Sequence, residues 1–294
     1  MNEKIPSYGG QAVIEGVLMR GQNAIAMAMR APDDEIVLHK EQLTGIYTSK
    51  LRNIPFLRGL IILWDSLGLG MRFLTISANV QTGEDEKLEG PMLYVTLAIS
   101  LVFGVGLFFL TPALISGLLA RFTPISAFVS NLLEGLIRLI LLIAYLWAIG
   151  KMPDIKRVFM YHGAEHKTIN AFEDGIELTP KNVMPYSVEH PRCGTSFILT
   201  LVLLSILIFS LFGPLPLHWR LLTRLLMIPV LAGISYEYIR LLSKHLDSPL
   251  VQIIVKPNLA LQQMTTREPT IEMLEVSIKA FNTMYAMEKE AQKA

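Results

Sequence analysis

The sequence predicts a mainly α-helical, four-helix polytopic membrane protein with a small N-terminal β unit and additional cytoplasmic helices. Hydrophobic residues make up 52% of the 294 residues and charged residues only 17%, which is more apolar material than one soluble core requires. Four segments are long and apolar enough to cross a hydrocarbon core. Near the N-terminus, short segments instead alternate with the period of β-strands.

The net charge and the cysteine content of the chain argue against a nucleic-acid partner and exclude an internal disulfide. The formal net charge is +1, so the chain has no global basic field, and no motif of a DNA-binding or RNA-binding module occurs. We therefore expect no nucleic-acid partner. The single cysteine, Cys193, excludes an internal disulfide and suits a reducing cytoplasm. The N-terminus lacks the apolar region of a secretory signal, so membrane insertion is expected to use internal segments.

Residues 1–53 are predicted to form an N-terminal cytoplasmic β-hairpin unit. The apolar residues of segments 12–15 and 23–30 predict two strands, and residues 32–34 predict a turn after the second. Segment 36–40 would return as the partner strand.

Residues 54–92 are predicted to form an interfacial helix followed by an acidic linker. The helical part, 54–78, is apolar but carries Arg58, Asp65 and Arg72, which would be costly in hydrocarbon. Residues 79–90 are acidic and poor in apolar side chains, as in a solvated linker.

The four predicted spans pair into transmembrane helices 1 and 2, within residues 93–150, and transmembrane helices 3 and 4, within residues 196–240. In detail they cover residues 94–119, 132–149, 196–212 and 221–239. The central connection, 151–195, contains six basic residues: Lys151, Lys156, Arg157, Lys167, Lys181 and Arg192. The two short connections hold one each, Arg121 and Arg220. The positive-inside rule then predicts a multi-pass protein of the cell membrane, with both termini and the central loop in the cytoplasm.

Ionisable residues inside the predicted spans are expected to face one another, because they are costly in lipid. Glu134 and Arg138 stand at i, i+4, and Arg224 and Glu237 are their candidate partners. One interpretation is an ion-pair network that holds the bundle together. The other is a charged pathway through a carrier or channel subunit.

The C-terminal residues 241–294 are predicted to form cytoplasmic amphipathic helices. Segment 250–263 would lie on membrane lipids or against the central loop, and a second helix would begin at Pro269. Apolar residues recur along that helix at a spacing of three to four, at Ile271, Leu274, Ile278, Phe281 and Tyr285. Its apolar face would contact the rest of the chain, a second copy in a homo-oligomer, or a cytosolic partner recruited by a membrane scaffold.

The central loop contains the strongest candidate site. Pro153 and Gly175 bracket a predicted helix over residues 154–173. On that helix, four metal-capable side chains fall within roughly 80° of one another at about 100° per residue. They are His162, Glu165, His166 and Glu173. Two imidazoles at i, i+4 can bind one cation, and the order H-x-x-E-H leaves Glu165 as a catalytic base, so a divalent metal, best zinc, is predicted.

A zinc site needs a third protein ligand, for which Glu173, His190 and Cys193 are the candidates. Two other interpretations remain open. The histidines could bond to backbone and carboxylates at the lipid headgroup level, or Cys193 and a histidine could form a nucleophilic pair. Gly163 inside the helix indicates that a ligand or a neighbouring helix approaches the backbone there.

Gln11 and Glu15 could add polar groups to the same cytoplasmic face, or could belong to a structural turn network.

Four motifs of the chain are distinctive: GGQAVIEGVLMR at 9–20, YHGAEHK at 161–167, HPRCGT at 190–195 and LQQMTTREP at 261–269. They resemble the motifs of the YqhQ-like family of membrane proteins, which are usually described as predicted metal-dependent enzymes. The resemblance spans nearly the whole chain. It implies a metal role for His162, Glu165, His166, His190 and Cys193.

If the protein is an enzyme, the motif favours a metal-dependent hydrolase that acts at the bilayer surface. The expected substrate classes are peptides, lipid headgroups and phosphorylated metabolites.

Overall fold

The computed structural model describes residues 8–45, 54–82 and 90–292. This part of the chain is mainly helical and contains one small antiparallel sheet. The strands are β1 (Gly9–Val13), β2 (Gly16–Arg20), β3 (Ala24–Arg30) and β4 (Ile36–Gln42). The helices are α1 (Leu57–Thr82), α2 (Gly90–Val105), α3 (Thr111–Phe122), α4 (Ala127–Ile149), α5 (Pro153–Glu173), α6 (Pro180–Val183), α7 (Gly194–Ser210), α8 (Leu217–Ser243), α9 (Pro249–Thr265) and α10 (Ile271–Ala291). A π-helical segment, Gly106–Leu110, joins α2 to α3.

The N-terminal β unit is a four-stranded meander rather than a hairpin. Its strands are antiparallel in the order β1-β2-β3-β4. The prediction missed β2 because the chain reverses at Ile14 and Glu15, where Glu15 has a φ of 51°. The backbone amide of Arg30 donates to the Glu15 carbonyl at 2.8 Å, which holds this turn against β3.

Alternation along β3 explains why both faces of the sheet are buried. Ile25 and Met27 pack with Phe73 of α1 in one core cluster. Ala26 and Ala28 point to the other face, in the cluster that contains residues of α5 and α10. Small side chains on that face let two helices approach the sheet closely. The sheet thus lies between α1 and the α5–α10 pair.

Helix α10 is built into this core. Leu274, Phe281 and Met284 are fully buried, whereas Ile271 is exposed. At its C-terminal end, the Glu288 carboxylate accepts hydrogen bonds from the backbone amides of residues 23 and 24, at 2.5 and 2.7 Å. The predicted apolar face therefore contacts the chain's own sheet and α5. A second copy or a cytosolic partner stays a prediction.

Helix α1 links the sheet to the apolar helices. Its C-terminal half packs on the sheet through Phe73, and its N-terminal half packs on α8. Gly59 makes that packing close, since a Cβ atom there would lie 2.9 Å from Cβ of Tyr236. The guanidinium of Arg58 pairs with the Glu237 carboxylate next to this contact.

Within the described residues, three helices are long and apolar enough to cross a membrane: Leu93–Phe122, Ala127–Ile149 and His218–Ser243. The most apolar window of the first is 0% buried in the fold. The remaining predicted span, 196–212, corresponds to α7, an apolar helix of 17 residues. A membrane location is consistent with these helices.

Pro112 explains the π-helical segment. Proline has no N–H to donate to the carbonyl four residues earlier, which belongs to Phe108. The Arg138 Nε donates to that carbonyl instead, at 2.9 Å. The helix break thus provides an acceptor for a buried arginine.

The predicted intramembrane charges form a cluster with one change of membership. Glu134 contacts Arg138 at 3.0 Å, Arg224 at 3.1 Å and Arg220 at 2.7 Å. Glu237 does not join them, because α8 carries it to the α1 side, where Arg58 pairs with it. Arg220 was predicted to lie in a loop, but it lies in α8 and joins the cluster around Glu134.

Candidate metal centre

Helix α5 positions most of the candidate residues. Pro153 stands in its first turn and the chain leaves it through Gly175, whose φ is 74°. These are the two boundaries that the sequence indicates. Within the helix, Glu165 and His166 are buried, and His162 is partly exposed.

Three potential ligands converge next to this helix. His162, His166 and Cys193 each offer one ligand atom, and the three atoms lie within 4.8 Å of one another. The His162 Nε2 is 3.1 Å from the Cys193 Sγ. The two imidazole centroids are 4.3 Å apart, as expected for i, i+4 positions on one helix face.

Backbone carbonyls fix the orientation of both histidines. The His162 Nδ1 lies 2.9 Å from the Thr265 carbonyl, and the His166 Nδ1 lies 2.6 Å from the Val188 carbonyl. A carbonyl can only accept, so each Nδ1 carries a proton and donates it. In a neutral imidazole, Nε2 is then the unprotonated nitrogen that can bind a metal. In protein metal sites a ligating histidine usually donates its other ring N–H to a carbonyl or carboxylate in the same way.

Cys193 supplies the anionic member of the set. It is the N-cap of α7, and its sulfur accepts from the backbone N of Thr195 at 3.4 Å. Burial raises the pKa of the thiol, but the contacts with His162 and His166 lower it by a larger amount. The resulting pKa lies well below the ordinary value of a thiol. This shift favours the thiolate form of Cys193 in the metal-free site.

The contact with Cys193 shifts the pKa of His162 upwards, opposite to the shift of the thiol pKa. Burial lowers its pKa, but the hydrogen bond and charge of Cys193 outweigh burial and raise the pKa to about 9. Without a metal, an imidazolium and a thiolate form an ion pair across the site.

Glu165 is buried beside the three ligands. Its Oε2 lies 4.0 Å from the His162 Nε2. Burial raises the pKa of this carboxyl, although the neighbouring His166 and His162 oppose the shift. Strand β1 packs directly on the carboxyl, since a Cβ atom at Gly10 would lie 3.0 Å from the Glu165 Cδ. A carboxyl in this setting can take and return a proton near the site.

Gly163 confirms the expectation of a close backbone approach. A Cβ atom there would overlap the Arg267 carbonyl. The Arg267 amide in turn donates to the Phe159 carbonyl at 2.9 Å. This contact places the segment after α9 against α5, and so brings the Thr265 carbonyl to His162.

Glu173 and His190, the other candidate ligands, lie outside the three-atom group. They contact each other, with the His190 Nε2 3.6 Å from the Glu173 Oε2. Arg192 also pairs with Glu173. Burial raises the pKa of Glu173, but His190 and Arg192 lower it by a larger amount, so that the pKa lies below its ordinary value. These residues hold the loop that carries Cys193 onto the end of α5.

Three polar side chains that the sequence does not single out support the candidate site, those of Gln262, Thr195 and Thr265. Gln262 is fully buried, accepts from the His190 amide at 2.8 Å and donates to the His190 carbonyl at 3.0 Å. Thr195 meets Thr265 at 3.2 Å between the hydroxyl oxygens. Only the long-range packing of α9 on α7 brings these positions together, so local spacing carried no signal for them.

Gln11 and Glu15 take structural positions in the described fold. Glu15 accepts from Arg157 Nε at 2.5 Å and from the Tyr161 hydroxyl at 3.2 Å. Gln11 packs on α1, where a Cβ atom at Gly70 would overlap its Oε1. The first contact ties the β1–β2 turn to α5, and the second ties β1 to α1.

Comparisons with known proteins identify relatives. The model of a family described as "Protein of unknown function (DUF1385)" matches residues 54–287. The chain is also similar to the "Uncharacterized protein YqhQ" of Bacillus subtilis (strain 168), with 36% identity over 300 aligned residues, 96% of this chain and 93% of the relative. This similarity supports the resemblance to the YqhQ-like family. None of the solved structures matches.

Proposed function

This chain belongs to the DUF1385 family, and from the geometry of its site we propose that it is a zinc-dependent hydrolase of the cell membrane. Three apolar helices of sufficient length support a membrane location. We infer that α7 forms a fourth span, because its 17 residues reach about 25 Å at 1.5 Å per residue. The positive-inside rule then puts both termini and the central loop in the cytoplasm.

One observation carries the metal assignment. Two imidazoles and one thiolate offer ligand atoms within 4.8 Å of one another, and carbonyls bind both Nδ1 atoms. A set of two nitrogens and one thiolate sulfur suits zinc, and three protein ligands leave a fourth position for water or substrate. A bound zinc ion would supply Lewis acidity and activate water for attack.

Glu165 provides the proton-transfer group of the proposed hydrolysis. Its Oε2 is close enough to the ligand set to accept a proton from an attacking water and to deliver one to a leaving group. Burial raises the pKa of this carboxyl, although the neighbouring His166 and His162 oppose the shift. The substrate is then a hydrolysable bond presented at the membrane surface, as in a peptide, a lipid headgroup or a phosphorylated metabolite.

Metal analysis of the purified full-length protein tests the assignment. We expect about one zinc per chain in the wild type and a loss of bound zinc in the double variant His162→Ala, His166→Ala. A matched control removes two exposed histidines elsewhere, His218→Ala and His245→Ala, and should keep the wild-type content. Equal, negligible amounts of every divalent metal in the wild type and the site variant would overturn the proposal.

A thiol nucleophile is the second candidate function, favoured by one contact. Cys193 caps a helix N-terminus and lies 3.1 Å from His162, a geometry that activates cysteine for nucleophilic attack. The variant Cys193→Asp separates the two functions, since aspartate can bind zinc but cannot act as a thiol. Retained zinc and activity would favour the metal hydrolase, whereas retained zinc with lost activity and a covalent adduct on the wild-type cysteine would favour the nucleophile.

A further inference from the structure

A cavity lies beyond the C-terminal end of α7, the helix whose N-cap is Cys193. It has a volume of about 440 Å³ and is lined by α3, the start of α4, the α7–α8 connection and the start of α8. Helix α4 runs from this cavity towards α5, and α7 runs from Cys193 to it. The cavity and the metal centre are therefore separated by the full length of two helices.

Arg220 and Arg224 line the cavity, and together with Glu134 and Arg138 they form a cluster with an excess of positive charge. The single carboxylate of Glu134 contacts the guanidinium groups of Arg138, Arg220 and Arg224. Arginine stays protonated in proteins, so the group has three positive charges and one negative charge. Within the described part of the chain, no second carboxylate contacts these arginines. The Phe209 ring, whose centroid lies 4.2 Å from the Arg224 Cζ, offsets part of this charge. An anion in the cavity would offset more of it.

One arginine in the wall has an unused donor. Arg138 uses its three nitrogens on the Phe108 carbonyl, the Ser205 hydroxyl and Glu134. Arg224, which lines the cavity, is 1% exposed, and its Nη1 has no hydrogen-bond partner among the described residues. A buried guanidinium nitrogen without an acceptor costs free energy unless a ligand supplies one.

Neutral hydrogen-bonding groups complete the polar wall. Ser130 and Asn131 of α4 line the cavity beside Arg220. Their oxygens accept from Arg220 Nη2 at 3.3 and 3.1 Å, which fixes the guanidinium plane. Fixed guanidinium groups suit the tetrahedral oxygens of a phosphate.

The remaining wall is apolar and reaches the outside of the helix bundle. Leu114 and Leu118 of α3 line the cavity, and their exposed fractions are 55% and 56%. A ligand with its anionic group at Arg224 could therefore extend an apolar part along α3. Glycerophospholipids combine these two features, and inorganic phosphate has only the first.

We propose that this cavity binds a phosphate-class oxyanion, with Arg224 and Arg220 as its ligands. The phosphate can come from a phospholipid headgroup or from free inorganic phosphate. This site is separate from the zinc centre and does not depend on the hydrolase assignment.

Binding to the delipidated full-length protein in detergent tests the proposal. Native mass spectrometry would count bound phosphatidylglycerol, a diacylglycerol glycolipid without phosphate would be the neutral lipid, and inorganic phosphate would be titrated as a competitor. Arg224→Gln removes the unpaired donor and leaves Glu134 with two arginines. Gly117→Phe fills the cavity, because a Cβ atom at Gly117 meets nothing within 4 Å. Matched controls are Arg72→Gln and Gly104→Phe, on α1 and α2.

We expect one phosphatidylglycerol per chain, weakened about tenfold or more by Arg224→Gln and by Gly117→Phe. The controls should bind within about twofold of the wild type. Displacement of the lipid by millimolar phosphate, with phosphate bound in its place, would identify free phosphate as the source. Unchanged binding in both cavity variants, or equal binding of the glycolipid, would overturn the proposal. Thermal unfolding of each variant in the same detergent verifies that it is folded.

Discussion

The Nε2 of His162 lies 3.1 Å from the Sγ of Cys193, although 31 positions separate the two residues in the chain. The His162 Nδ1 is held by the Thr265 carbonyl, and the thiol by the N-terminus of α7. Three separate segments thus meet at this contact. The contact between His162 and Cys193 can belong to a metal centre or to a thiolate–imidazolium pair.

The pH dependence of Cys193 reactivity in the metal-free protein follows from this contact. Because the thiol pKa is well below its ordinary value, alkylation by iodoacetamide should change little between about pH 6.5 and about pH 8.5, where an ordinary thiol gains roughly tenfold per unit. In His162→Ala the thiol pKa should rise, and the rate should become steeply pH-dependent. Mass spectrometry reads the rate without ambiguity, since Cys193 is the only cysteine.

A matched control for that experiment is His245→Ala, which removes an exposed histidine elsewhere. It should keep the flat pH profile of the wild type. A steep profile in the wild-type protein would show that His162 does not hold the thiolate.

Glu165→Gln should separate metal binding from hydrolysis. Glu165 is not one of the three converging ligand residues, so zinc content should stay near the wild-type value. Without a proton acceptor, turnover should fall by roughly 10²- to 10⁴-fold on any ester, peptide or phosphate ester that the wild type hydrolyses. Glu35→Gln is the matched control, because this exposed carboxylate lies between β3 and β4, away from the ligand group, and the variant should retain both zinc and activity. Full activity in Glu165→Gln would exclude its role as the base.

Gly163→Ala should destabilise the site through the backbone. The added methyl group would overlap the Arg267 carbonyl, at a cost of about 1–3 kcal/mol for overpacking. The displacement would also move the Thr265 carbonyl away from His162, so zinc affinity should fall together with the unfolding temperature. Gly68→Ala on α1 is the control, because a Cβ atom there meets nothing within 4 Å. Equal unfolding temperatures for the two variants would contradict the packing argument.

Glu134→Gln should be among the most destabilising single changes in the apolar helices. It would leave three guanidinium groups without their shared carboxylate, and breaking a buried ion pair by removing one partner costs about 3–5 kcal/mol. Glu237→Gln provides the comparison, because its pair with Arg58 is partly exposed and such pairs contribute about 1 kcal/mol or less. Thermal unfolding in detergent compares the two. A smaller loss for Glu134→Gln would argue against a single-carboxylate network.

The sequence alone predicted the local part of the site. Pro153 and Gly175 indicated the ends of α5, and helical geometry placed His162, Glu165 and His166 on one face. Gly163 indicated a close neighbour, which proved to be the Arg267 backbone. Each of these inferences depends on chemistry within a few residues, where spacing determines geometry.

Long-range pairings could not be predicted in the same way. Cys193, His190 and Glu173 were equal candidates for the third ligand, and only the path of the loop held by Gln262 separates them. Glu237 was grouped with Glu134 because both lie in predicted spans, but on α8 it lies 13 positions beyond Arg224, roughly 20 Å along the helix axis, where it pairs with Arg58. The β1–β2 reversal was missed because it uses Glu15 at positive φ, a conformation for which glutamate has no particular preference.

X-ray absorption at the zinc edge of the zinc-loaded protein identifies the atoms that bind the metal. We expect one sulfur at about 2.3 Å and nitrogen or oxygen neighbours at about 2.0–2.1 Å, two of them imidazoles. In Cys193→Asp the sulfur shell should disappear while the imidazoles remain. A zinc shell that contains no sulfur in the wild type, or one that keeps its imidazoles in the His162→Ala, His166→Ala variant, would contradict a centre built from His162, His166 and Cys193.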